Sequence, residues 1–278
     1  MDTKRQIIFN DIVRIRKSLE RYPRNLFQNE QLGRLGVRAT TVPLTTNKFP
    51  KFKPCFFIPQ GIKSADIERS RKFARYDSGE GGNKGLRSLK KHAESLRPRG
   101  QFPVILSNFH NSIINTLKDE GFNVFDNTSL SCSGPYSKGK WPFNPELQLL
   151  EPRSRHNRWK VYLCLEDPTH AVPHAIMDVR VDTEDPGARL TVSEVKAIVR
   201  MMETRMGFPS YQHHLVLPLL VVSYFGPERA RIIQAHHDGK LMNIQYTDTV
   251  FIDDNFVGKF LGYYCSRPIG LTVPNRHV

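Results

Sequence analysis

A run of apolar residues constrains the fold of this chain more than any other sequence feature. Residues 217–225 read LPLLVVSYF and are apolar almost throughout. A run of this length between turn residues is typical of a central strand that is buried on both faces of a sheet. Two strand-like runs follow at 230–237 and 241–253, joined by the short turn signals GPE and DGK. The pattern predicts an antiparallel β-meander.

The segments before and after the meander predict further strands and helices. Residues 159–182 alternate like two strands with a turn between them. Residues 190–207 place valines and methionines on one helical face, and Thr191 and Glu194 stand at the spacing of a capping box. A short helix is expected within 255–270. The predicted fold class is α+β, with an antiparallel sheet and packing helices.

The first 100 residues have a different character. Residues 5–22 place apolar side chains on one stripe at three- and four-residue steps, which predicts an amphipathic helix. Prolines interrupt residues 40–60, which favours an extended connector with aromatic anchors. Residues 61–100 combine many cations with a glycine-rich stretch, which indicates a mobile segment. We expect a basic, partly irregular or disordered N-terminal region over 1–100 and an α+β domain over 101–278.

The charge of the chain is unevenly distributed. The sequence has 41 Lys and Arg against 27 Asp and Glu, a net charge of +14. Residues 1–160 carry 30 basic and 14 acidic side chains, whereas residues 161–278 carry 11 basic and 13 acidic ones. This distribution favours nucleic acid (DNA or RNA) as the partner, ahead of another polyanion or an acidic protein. The candidate polyanion-binding residues are Lys63, Arg69, Arg71, Lys72, Arg75, Lys84, Arg87, Lys90, Lys91, Arg97 and Arg99.

Composition and missing motifs narrow the function further. The chain starts MDTKRQIIFN, with charged residues at once, and has no apolar run near the roughly 20 residues that a bilayer requires. We therefore expect a protein of the nucleus or cytoplasm that is not secreted and has no membrane partner. The four cysteines form no C-x-x-C pair, which predicts free buried thiols rather than a zinc site. No P-loop, G-x-S-x-G elbow or H-E-x-x-H motif occurs, so several large enzyme classes lose support.

One pattern points to catalysis. Asp178 is followed, after fifteen intervening residues, by Glu194-Val195-Lys196. This spacing resembles the Asp…Glu-x-Lys pattern of the restriction-endonuclease-like (PD-(D/E)xK) superfamily, in which two carboxylates hold Mg²⁺ and a lysine assists the attacking water. In that superfamily the Glu-x-Lys element lies on a strand, whereas here it falls in a predicted helix. The competing interpretation is a capping glutamate and a solvated lysine.

A second pattern consists of histidines. His236, His237 and Asp238 end the middle strand of the meander, where an imidazole and a carboxylate could share a metal ion or a proton. Adjacent strand residues point to opposite faces, so the plainer interpretation is a hairpin turn at Asp238. With His213 and His214, these residues could instead line a pocket in a small-molecule-binding protein or enzyme.

The meander also carries a resemblance. A buried strand, a Gly-Pro turn at 226–227, Ala-Arg-Ile at 230–232 and an Asp-Gly turn at 238–239 resemble a group of uncharacterised proteins from filamentous fungi over roughly residues 170–278. The resemblance implies a shared fold and carries no activity. The sequence as a whole favours a nucleic-acid-associated or scaffold protein that needs neither catalysis nor a cofactor. The alternatives are a Mg²⁺-dependent nuclease and a small-molecule-binding protein or enzyme of fungal specialised metabolism.

Overall fold

The structure, a computed structural model, describes residues 3–20, 22–45, 48–61, 130–132, 159–181, 183, 185–225, 229–251 and 254–273. All eleven candidate polyanion-binding cations and the predicted boundary at residue 101 lie outside these ranges, as does the turn at 226–228. Those predictions stay predictions.

The described elements are four helices and ten strands in addition to one short 3-10 turn. The helices are α1 (Thr3–Glu20), α2 (Asn29–Arg34), α3 (Val192–Met206) and α4 (Asp254–Tyr264). The strands are β1 (Val37–Thr41), β2 (Phe57–Ile58), β3 (Ser131–Cys132), β4 (Trp159–Glu166), β5 (Ala175–Val181), β6 (Leu219–Phe225), β7 (Arg229–His237), β8 (Met242–Tyr246), β9 (Val250–Phe251) and β10 (Arg267–Pro268).

The large sheet has the strand order β1-β8-β7-β6-β5-β4-β3, with β9 paired to β7. Strands β6, β7 and β8 form the predicted antiparallel meander, and β4 pairs antiparallel with β5. The sheet as a whole is mixed, because β5 pairs parallel with β6 and β1 pairs parallel with β8. Strand β6 lies in the middle and all of its residues are buried, as its apolar sequence predicts. The α+β class is confirmed.

Two layers cover the two faces of this sheet. One face, which we call the helix face, carries Val221 and Ile233 and packs on the apolar stripes of α1 and α3. The other, which we call the segment face, carries Leu220 and Ile232 and packs on α4 and on aromatic side chains of residues 49–57. Because β-strand side chains alternate between faces, neighbouring residues of one strand serve different cores.

The described part of the N-terminal region belongs to this fold. In α1, the residues Ile8, Ile12, Ile15 and Leu19 are buried, as the predicted stripe requires, and the helix packs against α3. Strand β1 was not predicted from the sequence, because Val37 is its only buried side chain. It forms one edge of the sheet through parallel pairing with β8. Residues 3–61 therefore share both hydrophobic cores with the meander.

The proline-rich connector is extended, as predicted, and its aromatic residues anchor it. Phe52, Phe56 and Phe57 are buried in the core of the segment face, and Phe57 begins the two-residue strand β2, which pairs with β10. Cys164 and Cys265 are buried, as predicted, whereas Cys55 is exposed, which corrects the prediction of a buried thiol at that position. Within the described ranges, none of the helices combines the length and apolarity needed to cross a membrane.

Candidate nucleic-acid interface

The three residues of the nuclease pattern do not form one site. Asp178 lies on β5 in register with Val222, on the segment face of the sheet. Burial and the nearby Asp178 charge raise the pKa values of Tyr224 and Tyr264 on that same face. Glu194 instead lies in α3, which packs on the helix face, so the sheet separates the two carboxylates. The prediction of an Asp178, Glu194 and Lys196 centre is wrong on geometry.

Glu194 is committed to structural contacts. It completes the predicted capping box, since its backbone N–H donates to Thr191 Oγ1 and its carboxylate accepts from the Thr191 N–H. Arg231 then donates two hydrogen bonds to the carboxylate, from Nε to Oε1 at 2.7 Å and from Nη2 to Oε2 at 2.6 Å. Both side chains are fully buried, and the guanidinium also lies over the Phe225 and Tyr246 rings. Lys196 lies further along the same helix, α3, and is half-buried.

The five residues of the histidine pattern are also dispersed. His237 points to the helix face, where its Nε2 lies 3.0 Å from Asp11 Oδ2. His236 points to the segment face, with its ring 5.0 Å from the Phe56 ring, and burial lowers its pKa to about 4. His214 Nδ1 is hydrogen-bonded to Thr272 Oγ1, and His213 is exposed beside Gln212. His236 and His237 therefore cannot line one common pocket, because the sheet lies between their side chains.

Asp238 forms the predicted hairpin turn. Its carboxylate accepts hydrogen bonds from the backbone N–H groups of Lys240 and Leu241 and from Asn243 Nδ2, each at 2.8 Å. Partial burial acts to raise the pKa of Asp238, but these donors and the neighbouring His237 outweigh it and hold the pKa at about 2. Gly239 follows with φ +94°, a conformation that glycine adopts without strain.

Two glutamine side chains hold the proline-rich connector on the segment face. Gln234 and Gln245 are register partners on β7 and β8. Gln245 accepts from the Lys53 N–H at 2.8 Å and donates to the Lys53 carbonyl. Gln234 accepts from the Phe56 N–H at 3.0 Å and donates to the Pro54 carbonyl at 2.7 Å. The two side-chain amides thus pair with the backbone of residues 53–56, as the backbone of a neighbouring strand would.

A cavity of about 340 Å³ lies between this connector and the edge of the sheet. We call it the basic pocket, and its lining consists of the cations Arg38, Lys51 and Lys53, the polar residues Thr40, Thr41, Asn243 and Gln245, and the apolar residues Val42 and Pro43. The cross-strand pairs of β1 and β8 form the sheet wall, with Arg38 opposite Asn243 and Thr40 opposite Gln245. Arg38, Lys51 and Lys53 are all exposed.

The electrostatic surroundings of the basic pocket are positive. None of its nine lining residues is acidic. From residue 31 to residue 61 the sequence contains the five cations Arg34, Arg38, Lys48, Lys51 and Lys53 and no Asp or Glu. Asp238 is near through its bond to Asn243, but its charge is already met by three donors. The pocket therefore suits an anionic group.

Sequence reasoning missed this pocket, although one signal was present. In the extended run Lys51-Phe52-Lys53, the phenylalanine is buried and both lysines are exposed, which is the alternation of a strand that lies on a core. The pattern could have predicted two lysines on one outward face. Their proximity to Arg38 could not be read from the sequence, because it depends on the pairing of β1 with β8.

Comparisons of this chain with protein-family models, curated proteins and solved structures give no match.

Proposed function

We propose that this protein binds nucleic acid, or another polyanion of similar charge density, through its basic N-terminal half and without catalysis. The observation that carries the proposal is the basic pocket, where three exposed cations from two separate segments converge and no lining residue is acidic. Clustered Lys and Arg on one face are the electrostatic footprint of phosphate binding. A scaffold protein with an acidic protein partner is the variant of this proposal that the same charges would serve.

A larger group of cations follows the connector in the sequence. The connector that supplies Lys51 and Lys53 runs on to residue 61, and the eleven candidate cations between Lys63 and Arg99 follow directly. Six to ten phosphate contacts would account for strong binding at low salt. We infer that the pocket and the following segment act on the same ligand.

The two alternative functions have less support. Asp178, Glu194 and Lys196 do not form a nuclease site, because the sheet separates the two carboxylates. The Glu194 carboxylate is also bound in a buried ion pair with Arg231. A small-molecule enzyme built on His214 and His236 loses support, because His214 is hydrogen-bonded to Thr272 whereas His236 packs on Phe56. Neither alternative is therefore proposed on these residues.

The test compares the full chain with a variant in which the eleven cations from Lys63 to Arg99 are changed to glutamine. Labelled single-stranded RNA and duplex DNA are titrated at 50 mM salt and followed by fluorescence anisotropy. The proposal predicts binding by the wild type and a loss of at least tenfold in affinity for the variant, since several phosphate contacts are removed together. Equal affinities would show that this segment is not the polyanion grip.

Substitution is preferable to deletion of the first 100 residues in this test. The deletion would remove α1 and β1, which bury Ile12, Ile15 and Val37 in the core of the helix face. A protein without them could lose binding because it unfolds. Far-UV circular dichroism of the substituted variant, matched to the wild type, provides the folding control.

A further inference from the structure

We propose that the basic pocket accommodates one nucleotide unit of a single-stranded nucleic acid, with the phosphate at Arg38, Lys51 and Lys53 and the nucleoside against Val42 and Pro43. The inference rests on the proposed function and specifies its ligand class. It assigns a role to a part of the surface that lies outside the eleven candidate cations.

The size of the pocket suits such a unit. Ligand pockets in proteins span roughly 300–1,000 Å³, and the basic pocket, at about 340 Å³, lies at the lower end of that range. The pocket is too large to be filled by one phosphate group, and a phosphate together with a sugar and part of a base would fill it. The lining has polar and apolar parts, as a nucleotide does, because cations and hydroxyls lie beside two apolar side chains.

The chemistry of the lining suits a phosphodiester. Arg38 can offer a bidentate fork to two phosphate oxygens, while Lys51 and Lys53 supply point charges. The hydroxyls of Thr40 and Thr41 can donate to phosphate or sugar oxygens. Pro43 is exposed and provides most of an apolar surface on which a sugar or a base can rest, while Val42 is 7% exposed and lines the pocket with its edge.

The backbone that carries the two lysines is anchored on the fold before any ligand binds. The Lys53 backbone is fixed on both its N–H and its carbonyl by Gln245. Phe52, between the lysines, is buried in the core of the segment face. The backbone at Phe52 and Lys53 is therefore already ordered in the folded protein, so binding costs the rotamer freedom of the lysine side chains but little backbone entropy.

An unpaired strand fits this arrangement better than a duplex. In a duplex the bases are paired and stacked inward, so only phosphates would meet the protein here. In a single strand the nucleoside is free to turn toward Val42 and Pro43 while its phosphate meets the cations. The pocket should therefore contribute more to single-strand binding than to duplex binding.

The test uses the full chain and the triple variant Arg38→Ala, Lys51→Ala and Lys53→Ala. Its matched control is Lys17→Ala, Arg24→Ala and Arg189→Ala, which removes the same charge from exposed positions outside the basic pocket. Binding of a labelled 12-nucleotide single-stranded RNA and of a 12-base-pair duplex is measured from 50 to 200 mM salt. The melting temperatures of both variants check that they are folded.

The proposal predicts that the triple variant loses at least tenfold in single-strand affinity at 50 mM salt. Its slope of log K against log salt should become shallower by about 0.7, because the three cations together contact one phosphate of the single strand. The duplex affinity should fall no further than in the control variant. If the triple variant binds both probes as the control variant does, the proposed nucleotide site is contradicted. Binding by the wild type in that case would still support the proposed function. No binding by the wild type would instead refute both.

Competition with small ligands tests the nucleotide unit itself. Uridine monophosphate should displace the RNA from the wild type at concentrations at least tenfold lower than uridine or inorganic phosphate, since only the monophosphate engages both parts of the pocket. This difference should disappear in the triple variant. Equal potency of inorganic phosphate and uridine monophosphate would mean that the site recognises phosphate alone and would contradict the proposal.

Discussion

Arg231 is a buried charged residue whose contacts are structural. Its guanidinium is fully buried against Glu194, the carboxylate of the nuclease pattern, and also donates to the Arg189 carbonyl at 2.8 Å. Replacement by alanine would leave the Glu194 charge buried without its partner. We expect Arg231→Ala to lower the free energy of unfolding by about 3–5 kcal/mol, measured by urea denaturation.

Arg229 provides the matched control for this prediction, since it lies two residues earlier on the same strand. Its ion pair with Asp185 is partly exposed, and its guanidinium covers the Phe251 ring. Arg229→Ala should cost no more than about 2 kcal/mol. If Arg231→Ala fails to fold, the double replacement Glu194→Leu with Arg231→Met should recover folding, because it leaves no buried charge. Equal costs at Arg229 and Arg231 would contradict the structural role of Glu194.

His236 gives a second prediction at the scale of the residue. Burial lowers its folded-state pKa to about 4, whereas an unfolded histidine has a pKa of about 6.5. Between these values the unfolded state binds more protons, so stability is full above about pH 6.5 and falls as the pH drops toward 4. His174, also lowered to about 4 by burial, adds to this loss. We expect His236→Leu to reduce the pH dependence of the unfolding free energy between pH 6.5 and 4, and an unchanged dependence would contradict the burial.

At the scale of the element, the contact between α4 and the proline-rich connector depends on Gly262. The Gln60 N–H donates to the Gly262 carbonyl at 3.0 Å, and a Cβ added at Gly262 would overlap the Gln60 carbonyl oxygen and touch the Phe49 ring. Alanine favours a helix by about 1 kcal/mol over glycine. We nevertheless expect Gly262→Ala to lower the melting temperature, because backbone atoms cannot yield cheaply.

Gly33 in α2 is the control for this prediction. A Cβ at Gly33 would meet no atom within 4 Å. Gly33→Ala should therefore stabilise the protein by about 0.5–1 kcal/mol through helix propensity and the unfolded state. The same substitution should thus have opposite signs in the two helices. A stabilising Gly262→Ala would show that α4 does not pack on the connector as closely as described.

The elements that could be predicted from the sequence are those with strong local patterns. The stripe of α1, the capping box at Thr191 and the apolar run of β6 each carry their structure within about twenty residues. Strand β1 has no such pattern, because only Val37 is buried and its partner β8 lies about 200 residues away. Parallel pairing of this kind is not encoded locally.

The candidate site was harder to predict for the same reason. The sequence spacing of Asp178 and Glu194 matched a nuclease motif, but the sheet lies between the two side chains. Tertiary packing decides which face of a sheet a helix covers, and the spacing does not show it. The basic pocket needs Arg38 from β1 and two lysines from the connector, which meet only through β8 and Gln245. The charge segregation that motivates the function was visible in the sequence, whereas the place where described cations converge was not.

At the scale of the whole molecule, the cations are concentrated in the first part of the chain, since residues 1–160 carry 30 basic and 14 acidic side chains against 11 and 13 in residues 161–278. Some charges of the sheet and its helices are buried as ion pairs, as Glu194 with Arg231 shows. The exposed cations of the connector instead lie at the edge of the sheet, directly before the most basic part of the sequence. Under the proposed function, this division assigns polyanion binding to the N-terminal half, with the remainder of the chain acting as its support.

The measurement that tests this account most directly is the salt dependence of single-stranded RNA binding by the full wild-type chain. If six to ten phosphates are contacted, the slope of log K against log salt should lie between about −4 and −7. Anisotropy titrations at several salt concentrations between 50 and 200 mM give this slope. Binding through phosphate contacts predicts a slope in that range. A slope near zero, or no binding at 50 mM salt, would contradict it.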